Sequence, residues 1–288
     1  MYQSPSIRQC YKVTAVLFFL LLQGCCFFAP CPYLTADKLA ENGGFKKDIL
    51  NAGLFAIVTY SRIDSPGAPL TFYIEGDGAA WTTRRLLSAD PTPRHPLALK
   101  LALSDPGQNI VYLARPCQYV LKNGMGTNCN SRYWSSAIFS EEVIGSVNLA
   151  MSKLKKQSSA SGIHLIGYSG GGAVAVLIAS RRNDIVSIRT VAGNLDHEKI
   201  SLLHGVTPLT ESLNAIDVAE KIKTIPQIHF SGSRDKIVPE AIAIDFVARQ
   251  KGPACSRTVL VEGAEHGNGW LEKWPSLLQI PLPCYSEP

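Results

Sequence analysis

Ile163-His164-Leu165-Ile166-Gly167-Tyr168-Ser169-Gly170-Gly171-Gly172-Ala173-Val174-Ala175-Val176-Leu177-Ile178-Ala179 joins a short apolar run to an Ala/Val/Leu-rich one through a Gly-x-Ser-x-Gly pentapeptide. The first run reads as a buried strand over 163–168 and the second as a helix over 171–182. A serine on the sharp turn between them is held in a strained conformation that lifts its hydroxyl clear of the sheet. The flanking glycines belong to the same geometry, because a Cβ at 167 or 171 would collide with the neighbouring strand or helix. Ser169 is therefore the candidate nucleophile, and a purely structural glycine-rich turn is the alternative.

A serine hydroxyl attacks carbonyls only when a base takes its proton and an acid orients that base. In a strand–turn–helix setting the order along the chain is Ser, then Asp or Glu, then His. Three histidines follow Ser169 outside the expected strands: His197, His204 and His266. His266 lies in Glu262-Gly263-Ala264-Glu265-His266-Gly267-Asn268-Gly269, a loop after the strand expected over 256–261, which is where the base belongs. His164 and His229 fall inside apolar strands and read as core histidines, and His95, before a proline, as an exposed loop residue. The acid is expected at a strand end between nucleophile and base. Asp235 meets that requirement in Gly232-Ser233-Arg234-Asp235-Lys236-Ile237-Val238-Pro239. Asp196, after the preceding strand, is its competitor.

With these residues in place, the chain resembles the α/β-hydrolase superfamily over about residues 54–278. The resemblance rests on Gly167-Tyr168-Ser169-Gly170-Gly171, on the Gly-Ser-Arg-Asp-Lys-Ile-Val-Pro segment, and on the late Glu-His-Gly. It implies a mostly parallel sheet with helices on both faces and an oxyanion hole made of two backbone N–H groups. One is expected from Gly170, directly after the nucleophile. The other is expected from Asp77 in Glu75-Gly76-Asp77-Gly78, with Gly78 as the fallback. Here the chain departs from the usual His-Gly pattern, since Glu75 stands where the histidine would. Two carboxylates beside a site would disfavour anionic substrates; a solvated glycine turn is the plainer reading.

The remaining elements agree with an α/β layout. Runs over 55–63 and 69–75, separated by Asp64-Ser65-Pro66-Gly67, read as a hairpin. A strand is expected over 109–114 and a helix over 141–156, with apolar spacing at Val143, Ile144, Val147, Met151 and Leu154. Strands 187–192, 225–231 and 256–261 alternate with a helix over 239–250, and a last helix is expected over 270–278. Alternation of this kind predicts one domain over 54–288. Segment 195–223 is longer than a usual connection. Its apolar residues Leu202, Leu203, Val206, Leu209 and Leu213 are either ordinary core or a small cap over Ser169.

Arg8 and Lys12, then ten apolar residues at 13–22, have the pattern of a secretory signal too short to span a membrane. Leu22-Gln23-Gly24-Cys25 resembles the lipobox of bacterial lipoproteins. That resemblance implies a signal peptide at 1–24, acylation of Cys25, and a tether at 25–53. Cys26 in place of an aspartate resembles outer-membrane sorting, so the expected location is the bacterial envelope, facing the periplasm or cell surface. An ordinarily cleaved or uncleaved signal is the alternative. In an exported chain cysteines pair by default. Cys117 with Cys129 and Cys255 with Cys284 are plausible staples. Loss of Arg8 and Lys12 with the signal lowers the formal charge from +5 to +3, too little to argue for nucleic acid as a partner. With no phosphate-binding glycine loop after a strand and no zinc spacing, no cofactor or metal is expected.

These features point to a lipid-anchored serine hydrolase with Ser169, Asp235 and His266 as the catalytic set. Its expected substrates are small carboxylic esters, cleaved through an acyl-enzyme. Aminopeptidase-like or thioesterase chemistry on the same residues, and a hydrolase fold kept as a non-catalytic binding module, stand as alternatives.

Overall fold

The computed structural model describes residues 31–83, 85–252 and 255–284. The expected signal peptide and Cys25 therefore lie outside the described residues. In chain order the elements are α1 (Pro32–Asn42), β1 (Lys46–Ala52), β2 (Phe55–Ile63), β3 (Leu70–Ile74), α2 (Leu97–Leu103), β4 (Asn109–Leu113), α3 (Glu141–Ser158), β5 (Ile163–Tyr168), α4 (Gly170–Ala179), β6 (Ile185–Val191), α5 (His197–His204), a 3-10 segment (Ala215–Ile222), β7 (Gln227–Gly232), α6 (Glu240–Arg249), β8 (Ser256–Val261) and α7 (Trp274–Leu278). The strands form one sheet ordered β1-β2-β4-β3-β5-β6-β7-β8. β1 and β2 run antiparallel to their neighbours, and from β4 to β8 every pairing is parallel. With helices on both faces, this is the α/β-hydrolase fold that the sequence implies.

Apolar residues fill both sides of the central strands, as a sheet covered on two faces requires. Leu70, Phe72 and Ile74 of β3 join Val143, Val147 and Met151 of α3 and Val174 and Ile178 of α4 in one cluster. Tyr73, Ile110 and Tyr112 face the other way, against Ala36 of α1, Leu99 of α2 and Trp274 of α7. Among the described residues no helix is long and apolar enough to cross a membrane.

Four expectations are corrected by these elements. Residues 32–53 are no tether: α1 buries Tyr33, Ala36 and Ala40, and β1 pairs with β2 from Lys46↔Ser61 to Ala52↔Phe55. The exposed charges of Lys46, Lys47 and Asp48 hide an edge strand whose apolar signal lies in its second half. The 55–63 and 69–75 runs do not form a hairpin, because β4 lies between them. Asn109, the first residue of β4, accepts from Ser65 N–H at 3.0 Å and donates back to Ser65 O at 2.7 Å, so the connection crosses the end of β4 instead of folding back. The last helix starts at Trp274 and not at 270; Pro275 sits in its first turn, where its fixed φ suits a helix start. Within 195–223, the 3-10 segment is core, burying Ala215, Ala219 and Ile222, whereas Leu202, Leu203 and Val206 are exposed.

Candidate active site

The ends of the parallel strands place the candidate residues together. Glu75 follows β3, Arg115 follows β4, Ser169 follows β5, Asp235 lies beyond β7 and His266 beyond β8. Carboxyl ends of strands in such sheets open onto the crevice where ligands bind.

Ser169 has φ 51° and ψ −121°, a strained conformation for a residue with a side chain. The neighbouring glycines are required by contact. A Cβ on Gly167 would lie 2.3 Å from Gly171 O, and one on Gly171 would lie 2.2 Å from Ile74 O. Strand, turn and helix are thus pressed together more closely than any other residue type would allow.

His266 spans the gap between Ser169 and Asp235. Its Nε2 lies 3.0 Å from Ser169 Oγ and its Nδ1 lies 2.9 Å from Asp235 Oδ2. The Asp235 side chain is fully buried, and its other oxygen accepts from Ile237 N–H at 2.8 Å and Val238 N–H at 2.9 Å. One carboxylate oxygen is therefore fixed by the backbone and the other is aimed at the imidazole. The two loops are pinned to each other, since Arg234 N–H donates to Ala264 O at 2.9 Å and Gly263 N–H to Ser233 Oγ at 2.9 Å. Buried Trp270 adds an indole N–H donated to Glu265 O at 2.7 Å and to His266 O at 3.1 Å.

The other candidates fall elsewhere. Asp196 caps α5, its Oδ1 accepting from Lys199 N–H at 3.1 Å and from Asn214 Nδ2 at 2.8 Å. Buried His229 pairs Nδ1 with Thr190 Oγ1 at 2.9 Å, and His164 pairs Nδ1 with Ser187 Oγ at 2.7 Å. Burial pushes their pKa values down to about 3 and about 4, so both are neutral core residues. His204 bonds Ile237 O at 2.8 Å, and His197 is buried at the start of α5. His95 is exposed and lines the cavity described below.

Residues 75–78 pack directly on the nucleophile turn. A Cβ on Gly76 would lie 3.2 Å from Ser169 Cβ, and one on Gly170 would lie 1.8 Å from Asp77 Oδ1. Gly78 has φ 66°, and a Cβ there would lie 2.1 Å from Pro91 O. Gly170 is the first residue of α4, a position whose N–H has no partner inside the helix. Neither acid of this loop is freely solvated. Glu75 is buried, and its Oε1 accepts from Gly76 N–H at 3.0 Å and from Ala98 N–H at 3.5 Å, in the first turn of α2. Burial pushes its carboxyl up to about 7. Asp77 faces buried Arg115, with Nη1 to Oδ1 at 3.4 Å.

Arg115 and Gln118 escape the sequence reading. Arg115 also donates to Ile138 O, and Gln118 accepts from Arg115 N–H at 3.0 Å and donates to Gly76 O at 3.0 Å. The 115–119 turn that holds them is strained, with φ 73° at Cys117 and 63° at Tyr119. The sequence signal was a charged residue two positions after the buried strand Asn109–Leu113, which puts it on the same sheet edge as Ser169. A cavity of about 610 Å³ opens over Ser169 and His266. Trp81, Trp134, Ile138, Tyr168, Leu209 and Ile237 give it a largely apolar wall.

A profile described as serine hydrolase (FSH1) matches residues 99–266, more than half of the chain and including Ser169, Asp235 and His266. The protein belongs to the FSH1 serine hydrolase family. In this serine hydrolase, β1 to β3 and residues 75–78 precede the matched span. Among solved structures the fold is similar to Est1E from Butyrivibrio proteoclasticus with ferulic acid bound, at 14% identity and TM-score 0.60, covering 81% of this chain and 96% of that one. It is also similar to the Pyrococcus furiosus esterase Pf2001, at 15% identity and TM-score 0.59, covering 83% and 92%. An alpha-beta serine hydrolase homologue from Coxiella burnetii matches at 14% identity and TM-score 0.51, covering 81% and 93%. At these identities the likeness is one of fold. No curated protein matches the sequence.

Proposed function

We propose that this serine hydrolase cleaves carboxylic esters through an acyl-enzyme on Ser169, at the surface of a bacterial envelope membrane to which Cys25 anchors it. The observation that carries the reaction is His266 bridging Ser169 Oγ and Asp235 Oδ2. As Ser169 Oγ attacks the carbonyl carbon, its proton passes to His266 Nε2, and buried Asp235 holds the proton on Nδ1 and balances the imidazolium. Negative charge on the carbonyl oxygen is met by the N–H groups of Gly170 and Asp77. When the tetrahedral intermediate collapses, Nε2 gives its proton to the departing alkoxide, leaving Ser169 acylated. A water that loses its proton to the same nitrogen attacks the acyl carbonyl, and the acid departs as Ser169 recovers its proton.

The ester reading is favoured over an aminopeptidase by the partners of the two acids. Recognition of a substrate ammonium needs an unengaged carboxylate, whereas Asp77 faces Arg115 and Glu75 is buried against α2. The apolar wall suits an uncharged acyl or alcohol group. Export is supported by two disulfides, Cys117–Cys129 and Cys255–Cys284, which persist in oxidising compartments. The test is labelling by a fluorophosphonate probe together with turnover of a small chromogenic ester. Ser169→Ala is expected to abolish labelling and to lower kcat by roughly a million-fold while circular dichroism stays unchanged. Comparable turnover by the variant removes Ser169 from the mechanism.

A further inference from the structure

A short hairpin stands on the rim of the cavity. Its arms meet at a bridge between Trp81 and Leu87, with Ser88 N–H donating to Ala80 O at 2.9 Å and Thr82 N–H to Leu86 O at 2.9 Å. Thr83 Oγ1 closes the tip by accepting from Leu86 N–H at 3.1 Å. This bonding holds Trp81 51% exposed and Leu86 61% exposed, while Leu87 turns inward against the core. Arg85 is exposed on the same tip, and exposed Arg94 lines the cavity alongside Trp81. An indole, an aliphatic chain and the Arg85 guanidinium on this turn, with the Arg94 guanidinium on the adjoining cavity rim, suit the boundary between lipid headgroups and acyl chains. There the indole sits at headgroup level, the leucine enters hydrocarbon and arginine binds phosphate.

The foot of the hairpin is tied to both the cavity and the start of the folded chain. Ser88 O accepts from Nε1 of Trp134, a cavity residue, at 3.1 Å. Asp90 accepts from Tyr33 OH at 2.9 Å, and Tyr33 is the second residue of α1. The chain that precedes α1 therefore joins the fold beside the cavity mouth. Cys25 is eight positions before Tyr33, a span of at most about 28 Å even when fully extended. A lipid on Cys25 would hold Tyr33, tied to the foot of the hairpin, within that distance of the membrane.

We propose that the 81–87 hairpin docks on an anionic lipid surface, inserting Trp81 and Leu86 and placing Arg85 and Arg94 on phosphates, so that the site takes its ester from the membrane. The identity of the substrate rests on the ester reading above; the docking does not. It is tested on the full chain carrying Cys25→Ser, so that no acyl anchor contributes. Trp134, Trp270 and Trp274 are buried, but Trp134 also lines the cavity, so the part of the vesicle response lost in Trp81→Phe is the part that reports Trp81. Phosphatidylglycerol vesicles are expected to shift the emission to the blue and shield it from acrylamide, and phosphatidylcholine vesicles to do so far less. Leu86→Asp is expected to weaken vesicle binding more than about tenfold. It should lower hydrolysis of a vesicle-borne ester and leave a short water-soluble ester unaffected. Emission that ignores the vesicles, equal binding to both lipids, or Leu86→Asp binding like the parent chain would each overturn the proposal. Vesicle binding without any ester turnover would support the docking and defeat the ester reading alone.

Discussion

Asp235 and Asp196 show how one residue type takes different work from its surroundings. Asp235 gives one oxygen to two backbone N–H groups and the other to His266, whereas Asp196 spends its accepting oxygen on the first turn of α5. Asp235→Asn is expected to lower kcat on the order of ten-thousand-fold, because the amide fixes the imidazole in the wrong tautomer. Asp196→Asn is expected to leave kcat within a few-fold and to cost at most about 1 kcal/mol of stability, since asparagine also caps helices. Steady-state kinetics and urea unfolding of both variants separate the two effects. The choice between these aspartates was legible in the sequence, because chain order and strand ends constrain the acid. The state of Glu75 was not: which helix would bring its N–H groups to a carboxylate at the end of β3 depends on packing between distant segments.

That helix is α2, whose N-cap, Pro96, offers no capping side chain. Glu75 supplies the missing acceptor from β3, and its burial joins the oxyanion loop to the helix. A carboxyl raised from 4.5 to about 7 keeps its proton in the folded chain where the unfolded chain has lost it. Stability is therefore full below pH 4.5 and falls as the pH rises to about 7, by on the order of 3 kcal/mol. Glu75→Gln mimics the protonated acid and should escape that loss. Denaturant unfolding at pH 5 and pH 8 is expected to show the variant gaining on the parent chain at the higher pH only; an equal gap at both would mean that Glu75 does not titrate in the fold. α3 was readable from its apolar period, and β5 with α4 from the Gly-x-Ser-x-Gly turn that joins two apolar runs. α2 was overlooked because Leu-Ala-Leu-Lys-Leu-Ala-Leu has a single polar residue, Lys100, and so carries little amphipathic signal. The order of β3 and β4 was hidden for another reason, since it is set by pairing between strands and not by either strand's residues.

At the scale of the molecule, the sheet brings five separated loops to one edge, and the first turn of α1 is tied beside it by Tyr33 and Asp90. If Cys25 carries the anchor, Cys25→Ser is expected to move the protein from membrane to soluble fractions and to abolish labelling by a fatty acid. Activity on a soluble ester should remain, because the relay is built from Ser169, His266 and Asp235 within the folded domain. Membrane retention without label would point to an uncleaved apolar leader, and a soluble parent chain to an ordinary cleaved signal. The expected location rests on a leader and a cysteine in the sequence alone. The disulfides were readable because export makes pairing the default and the four cysteines bracket two loops.

The bridge between Cys255 and Cys284 has a topological consequence for the base. It closes a ring over a sequence separation of 29, and that ring contains β8, the His266 loop and α7. A ring of that size removes about 3.6 kcal/mol of loop-closure entropy from the unfolded chain in the chain-entropy picture. That ring ties β8, the His266 loop and α7 together at both of their ends. Motions that carry the imidazole away from Ser169 are then changes in the shape of a loop fixed at both ends, from which the histidine returns to the same place.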